Sequence, residues 1–322
     1  MRLLAGKGRG IRINREYILA ITAQFSEESP TNYLSPPTKT EEERKALEER
    51  FHNNNFNKHN MPQGGDYDAL NKDKTEQYIG MRFFLPPIMS IGLADDPGFD
   101  ALKQEGVIGP HFRKPTEWMP EAKRVISLFL PFTDRVIRSN MEDPVQPSWE
   151  WLFTRVDGQQ HLLATGALVQ KALINEGYKA IVPQADDRYL MRTAPEQKEI
   201  PIPVWSSNWS ERHVGYVTGL GTFGKHTNFI SKKGCCGRII SIITDWDGAP
   251  DIKDYSGLYD YCADCGACYR VCPGDALHPE GKEKAACASF LRKNCPQYAP
   301  RYGCGKCQSG LPCSTRAFPP KK

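Results

Sequence analysis

At 322 residues the chain is long enough for one large domain and one small one, with a sizeable core. Hydrophobic residues at 39% and aromatics at 10% are ordinary for a globular protein and exclude a disordered chain. A formal net charge of +4, spread along the sequence, gives no reason to expect a nucleic-acid partner.

The elements follow in chain order. A basic coil leads into a helix predicted over Glu16 to Phe25. The first twenty residues hold no hydrophobic stretch long enough for a secretory signal, and no paired arginines of the twin-arginine kind, so the expectation is a cytoplasmic protein. No apolar run reaches the length of a membrane span, and no membrane partner is expected. A short charged helix is predicted from Thr38 to Arg50, followed by an exposed Asn-rich loop to about Thr75. Residues 1–76 therefore read as an N-terminal helical and loop extension.

From Gln77 the pattern becomes globular. Residues 122–132 predict a helix end running into a buried strand. Gln159 to Glu176 carries apolar residues at a helical period, with Gly177 as its C-cap, and a strand is expected over Lys179 to Pro183. A helix over Glu211 to Gly219 and a strand over Arg238 to Asp245 complete the series. Helices alternating with strands predict an α/β sandwich over residues 77–250. The stretch Asp247 to Asp260, rich in Asp and Gly, reads as the linker into a third unit, residues 251–322.

That unit holds nine of the 11 cysteines. Crowded cysteines in a chain with no export signal point to metal ligation rather than to a disulfide framework. Cys262, Cys265, Cys268 and Cys272, with Pro273 after them, follow the C-x2-C-x2-C-x3-C-P spacing without deviation. Three thiolates two residues apart can hold three irons of one [4Fe–4S] cubane, while the fourth cysteine serves a second cluster. Gly266 allows the backbone to turn inside that loop. A zinc site needs four ligands and gives no reason for the third equally spaced cysteine or for the proline.

By the cross-over rule, cluster one takes Cys262, Cys265, Cys268 and Cys313, and cluster two takes Cys272, Cys287, Cys304 and Cys307. Cys295 competes with Cys313 for a place and is assigned as the free thiol. The adjacent pair Cys235-Cys236, between two glycines, reads as small buried residues at a turn, with a redox-active or substrate-side thiol as the other reading.

The segment Ser206 to Gly234 is the most heavily functionalised part of the larger domain. Its GLGTFG (219–224) does not follow a clear strand, which argues against a dinucleotide site. With NWSERH (208–213), LADDPGF (93–99), the ferredoxin run and the closing CGKCQ-x3-PC element (304–313), the sequence resembles the epoxyqueuosine reductase family, in particular its anaerobic homologues known as 4Fe–4S binding proteins. The reductive dehalogenases are more distant relatives of the same layout.

The resemblance implies a mixed α+β or α/β fold: a nitroreductase-like domain of the cobalamin-binding type, followed by a bacterial two-[4Fe–4S] ferredoxin-like domain. It implies cobalamin as a further cofactor, a small-molecule substrate, and an external low-potential electron donor of the ferredoxin or flavodoxin type. Glu211, Arg212, Gly224, Lys225, His226 and Thr227 resemble positions that face the corrinoid. Trp205 stands where the epoxyqueuosine enzymes carry a proton-donating aspartate, so Tyr216, His213, His226 and Asp157 become the candidates for that role. The reading from a different class is an electron-transfer protein that docks a redox partner and holds no corrinoid.

Overall fold

The computed structural model describes residues 13–36, 74–193, 205–298 and 301–319. The predicted helix over Thr38 to Arg50 and the Asn-rich loop lie outside the described residues. Helix α1 spans Arg15–Glu28, capped by Asn14, whose side chain accepts from the Tyr17 backbone N–H.

The centre is a four-stranded sheet built from β1 (Ile88–Leu93), β2 (Arg124–Pro131), β3 (Ala180–Ile181) and a long strand over Gly237–Thr244, in the spatial order 88–93, 124–131, 237–244, 180–181. Every pairing in it is antiparallel. Alternation of helices and strands had predicted a mixed α/β core, and the fold has one. The antiparallel ladder is what that alternation does not announce, because strand direction depends on connections longer than any local pattern.

The two central strands are apolar on both faces, with period-2 alternation deciding which face each residue serves. Ile126, Leu128, Leu130, Ile240 and Ile242 enter the main core, beside Leu162, Val169 and Leu173. The last three come from the helix Gln159–Asn175, which occupies nearly the whole predicted span. Val125 and Ile243 face the other way, against Trp209, Val214 and Val217, while Phe129 and Ile239 pack there with Phe229. Truncating Ile240 or Ile242 to alanine in such a core costs about 2–5 kcal/mol.

Ile18 and Ile21 of α1 belong to the same main core. Helix α1 thus packs on the core of the larger domain, chiefly against the helix Gln159–Asn175. The presumed linker is also tied down. Asp251 accepts two hydrogen bonds from Arg15, at 2.7 and 2.6 Å, and one from the Ile91 backbone N–H at 2.9 Å. Tyr255 donates its hydroxyl to the Tyr216 carbonyl.

The cysteine-rich tail returns across the larger domain. Asn140, in the helix Asp134–Glu142, donates to the Cys304 carbonyl and to Ser309 Oγ, and accepts the buried Lys306 ammonium on its own carbonyl at 2.6 Å. The backbone N–H groups of Cys235 and Cys236 donate to the carbonyls of Cys313 and Ser314, tying the tail to the chain just before the strand Gly237–Thr244. Among the described residues no helix is long and apolar enough to cross a membrane.

Candidate metal centre

The loop Cys262–Cys268 is set by its backbone. Gly266 sits at φ 65° and N-caps the short helix Ala267–Arg270, a left-handed geometry that glycine takes at no steric cost. Around this loop lies a pocket lined by Cys262, Cys265, Cys268 and Cys313, together with Lys225 and His226. Four thiols from two distant stretches of chain meet at one hollow. Such an all-sulfur donor set fits an iron–sulfur cubane.

The other cysteines gather nearby. Cys262, Cys268, Cys272, Cys307 and Cys313 share one packed cluster with Tyr261 and Leu277. Cys287 and Cys272 both press electrostatically on Cys307, and Cys307 on Cys304. The Ala276 N–H donates to Cys272 Sγ, and Asn228 Nδ2 donates to Cys307 Sγ, both at 3.3 Å. Cys295 packs in a small apolar cluster with Leu152 and Tyr298, and Cys287 and Cys304 are within electrostatic reach of it.

Cys235 and Cys236 are fully buried. Cys235 Sγ is 4.0 Å from Cys313 Sγ, and with His226 these side chains put three donor atoms within 4.8 Å of one another. Gln308 closes the arrangement: its carbonyl accepts from Cys236 Sγ, and its amide donates to the Cys235 carbonyl at 2.7 Å. The pair thus anchors the tail to the larger domain.

The NWSERH segment opens helix Glu211–Val217 over a buried polar seam. Ser90, Ser127 and Ser241 stand in register across three neighbouring strands. Thr218 hydrogen-bonds both Ser127 and Ser90, at 2.9 and 3.1 Å. Trp209 Nε1 donates to Ser241 Oγ, whose hydroxyl donates onward to Glu211 Oε2 at 2.6 Å. Among the described residues Glu211 Oε1 is buried with no hydrogen-bond partner. Burial pushes the Glu211 carboxyl up to about 8, although Ser241 and Trp209 favour its charged form. This serine row is a signal that the sequence carried unread: one serine stands mid-strand in each of three apolar strands.

The other predicted residues are placed as follows. Arg212 is exposed and donates Nη1 to the Thr227 carbonyl at 3.0 Å. Thr227 takes a left-handed turn at φ 61°. Lys225 lies over the Tyr259 ring, 4.7 Å from its centroid. His213 holds Ser210 Oγ through Nδ1 at 2.7 Å and packs on Phe223. Burial, with the Arg212 charge beside it, pushes His213 down to about 4, so its ring is neutral at neutral pH. Tyr216 stacks on Tyr255 and donates to the Ser256 carbonyl at 3.4 Å. Asp157 stands apart from these groups. It is held in a two-pronged pair with Arg301, at 2.8 and 2.9 Å, and does not line the cysteine pocket.

Comparison with known proteins bears on the same regions. The 4Fe-4S binding domain family matches residues 258–278, the stretch that includes Cys262, Cys265, Cys268 and Cys272. An epoxyqueuosine reductase from Leadbetterella byssophila is 30% identical over 128 residues, covering 36% of this chain and 39% of the relative. The chain is similar in sequence to epoxyqueuosine reductase. The resemblance seen in the motifs is thereby borne out, across about two fifths of that curated relative's length.

Among solved structures, epoxyqueuosine reductase from Bacillus subtilis aligns at a TM-score of 0.44 and 18% identity, covering 72% of this chain and 62% of the other. An epoxyqueuosine reductase solved with an epoxyqueuosine-modified tRNA-Tyr stem loop aligns at 0.45 and 18%, covering 72% and 62%. A catabolic reductive dehalogenase aligns at 0.39 and 15%, covering 72% of this chain and 31% of that one.

Proposed function

We propose that this protein is an iron–sulfur oxidoreductase holding two [4Fe–4S] clusters, and that it is a corrinoid-dependent reductase of the epoxyqueuosine reductase or reductive dehalogenase kind. The observation that carries the reading is the convergence of Cys262, Cys265, Cys268 and Cys313 on one pocket, with Cys272, Cys304 and Cys307 close behind. Cluster one would be held by that first set, and cluster two by Cys272, Cys287, Cys304 and Cys307. Electrons enter one at a time from an external low-potential donor.

Cobalamin is proposed from the sequence similarity to epoxyqueuosine reductase. Arg212 supports it in one respect: among the described residues its guanidinium makes one hydrogen bond, to the Thr227 carbonyl, and burial of that head group lowers its pKa, so donors remain for a cofactor's polar edge. Lys225 is its neighbour in the same loop. When bound, a corrinoid supplies a strongly reducing metal centre to an organic substrate. The chain's own residues would orient that substrate and deliver its proton. Tyr216 keeps a phenol near this loop and is the donor we carry forward, whereas Asp157 is committed to Arg301.

The substrate is proposed as a small organic electrophile. The expectation that no nucleic acid is involved is not maintained, since a similar protein is known with an epoxyqueuosine-modified tRNA stem loop. Anaerobic purification after expression with cobalamin tests the reading. Corrinoid absorption in near one-to-one amount with protein is expected. A protein that carries its clusters yet takes up no corrinoid after reconstitution would be an electron-transfer protein instead.

A further inference from the structure

His226 and Asn228 belong to one five-residue turn of the larger domain, residues 224–228, closed by the Gly224 N–H donating to the Asn228 carbonyl. His226 is only 1% exposed. Its Nδ1 accepts the backbone N–H of Asn228 at 3.0 Å. An amide N–H can only donate, so Nδ1 carries no proton, and in the neutral ring the proton sits on Nε2. Nε2 faces Cys313 Sγ at 3.5 Å. An imidazole that ligates a metal through Nε2 keeps its proton on Nδ1 and donates it outward. His226 is wired in the opposite sense: it is a donor to sulfur, not a ligand. Gly224 makes room for this, since a Cβ there would lie 2.6 Å from the His226 ring.

Two residues on, the Asn228 side-chain amide donates to Cys307 Sγ at 3.3 Å. The same turn therefore reaches one ligand of each proposed cluster. We propose that residues 224–228 form a hydrogen-bond clamp that sets the reduction potentials of the two clusters separately, His226 through Cys313 and Asn228 through Cys307. Reduction adds negative charge to a cluster and its thiolates. An N–H aimed at a ligand sulfur stabilises the reduced state more than the oxidised one, and raises the potential. His226 becomes a positioning and tuning residue for the cluster rather than part of the corrinoid wall. This inference rests on the two-cluster reading above.

The test is an anaerobic redox titration of the full-length holoprotein, followed by electron paramagnetic resonance, with iron and sulfide counted in each variant. In His226→Leu the midpoint of one cluster is expected to fall, and in Asn228→Leu that of the other. Each loss should be roughly tenfold in the reduction equilibrium, about 59 mV for a one-electron step. His226→Gln, which keeps an N–H at similar reach, should stay near the parent value. Full iron with unshifted potentials, or both midpoints falling together in each variant, would overturn the clamp alone. If His226→Leu loses iron, the Gln variant decides: recovery of iron and potential supports the donor role, and no recovery contradicts it. A parent protein with fewer than two cluster signals would sink the two-cluster reading itself, and the clamp with it.

Discussion

Glu211 is a carboxyl on the serine row beneath its own helix, buried, with one oxygen bonded to Ser241 and the other without a partner among the described residues. Its folded-state value of about 8 lies above the ordinary carboxylate range. Between these two values the folded chain holds a proton that the unfolded chain has released, so this group makes stability fall as pH rises from about 5 to 8. Glu211→Gln keeps the shape and cannot ionise. The difference in unfolding free energy, parent minus variant, should therefore decline across that window by at most about 1.4 kcal/mol per pH unit. A difference that is flat over pH 5–8 would mean Glu211 is ionised in the fold. Asp157 is tested at the same scale through its pair with Arg301. Asp157→Asn should cost about 1–3 kcal/mol through its bond to the Arg301 charge. Iron content should stay unchanged, and loss of iron would show that the pair supports the clusters.

At the scale of elements, the strongest local patterns were readable. The helix Gln159–Asn175 and the strand Gly237–Thr244 fall within a residue or two of their predicted bounds, because an unbroken apolar period over eight residues or more leaves little choice of structure. The helix Glu211–Val217 was readable as well. Strand Ile88–Leu93 was not predicted, although its pairing with Arg124–Pro131 completes the serine row. Its short apolar run is ambiguous without the partner that fixes it.

The candidate site divides in the same way. Spacing alone brought out the run Cys262–Cys272, a local code. The cross-over rule added Cys313 to that set, whereas the role of the Cys235-Cys236 pair in holding the tail there was not legible, since it depends on contacts spanning some eighty residues. Asn228 was missed altogether, since a lone asparagine in a turn carries no sequence signal for sulfur. The tail offers its own test. Cys313→Ser should lower the iron content or leave a three-iron cluster, whereas Cys295→Ser, in its apolar pocket, should change neither. The reverse outcome would reassign the fourth ligand of cluster one.

Across the whole molecule, the tail and the larger domain are knitted at several points: Asn140 with Lys306 and Ser309, Arg301 with Asp157, and Cys235 and Cys236 with residues 313 and 314. The cysteines therefore sit against the larger domain rather than on a detached carrier, and Lys225 and His226 of that domain form part of the pocket wall. An electron reaching the proposed clusters would be held next to the loop where the substrate chemistry is proposed. That placement is what a reductase with built-in clusters needs. All of it depends on both thiol sets being filled. The most direct measurement is iron and acid-labile sulfide per chain in anaerobically prepared protein, with resonance spectra of the reduced form. About eight irons and eight sulfides are expected, as two [4Fe–4S] clusters. A single cluster, or stoichiometric zinc in place of iron, would contradict the account.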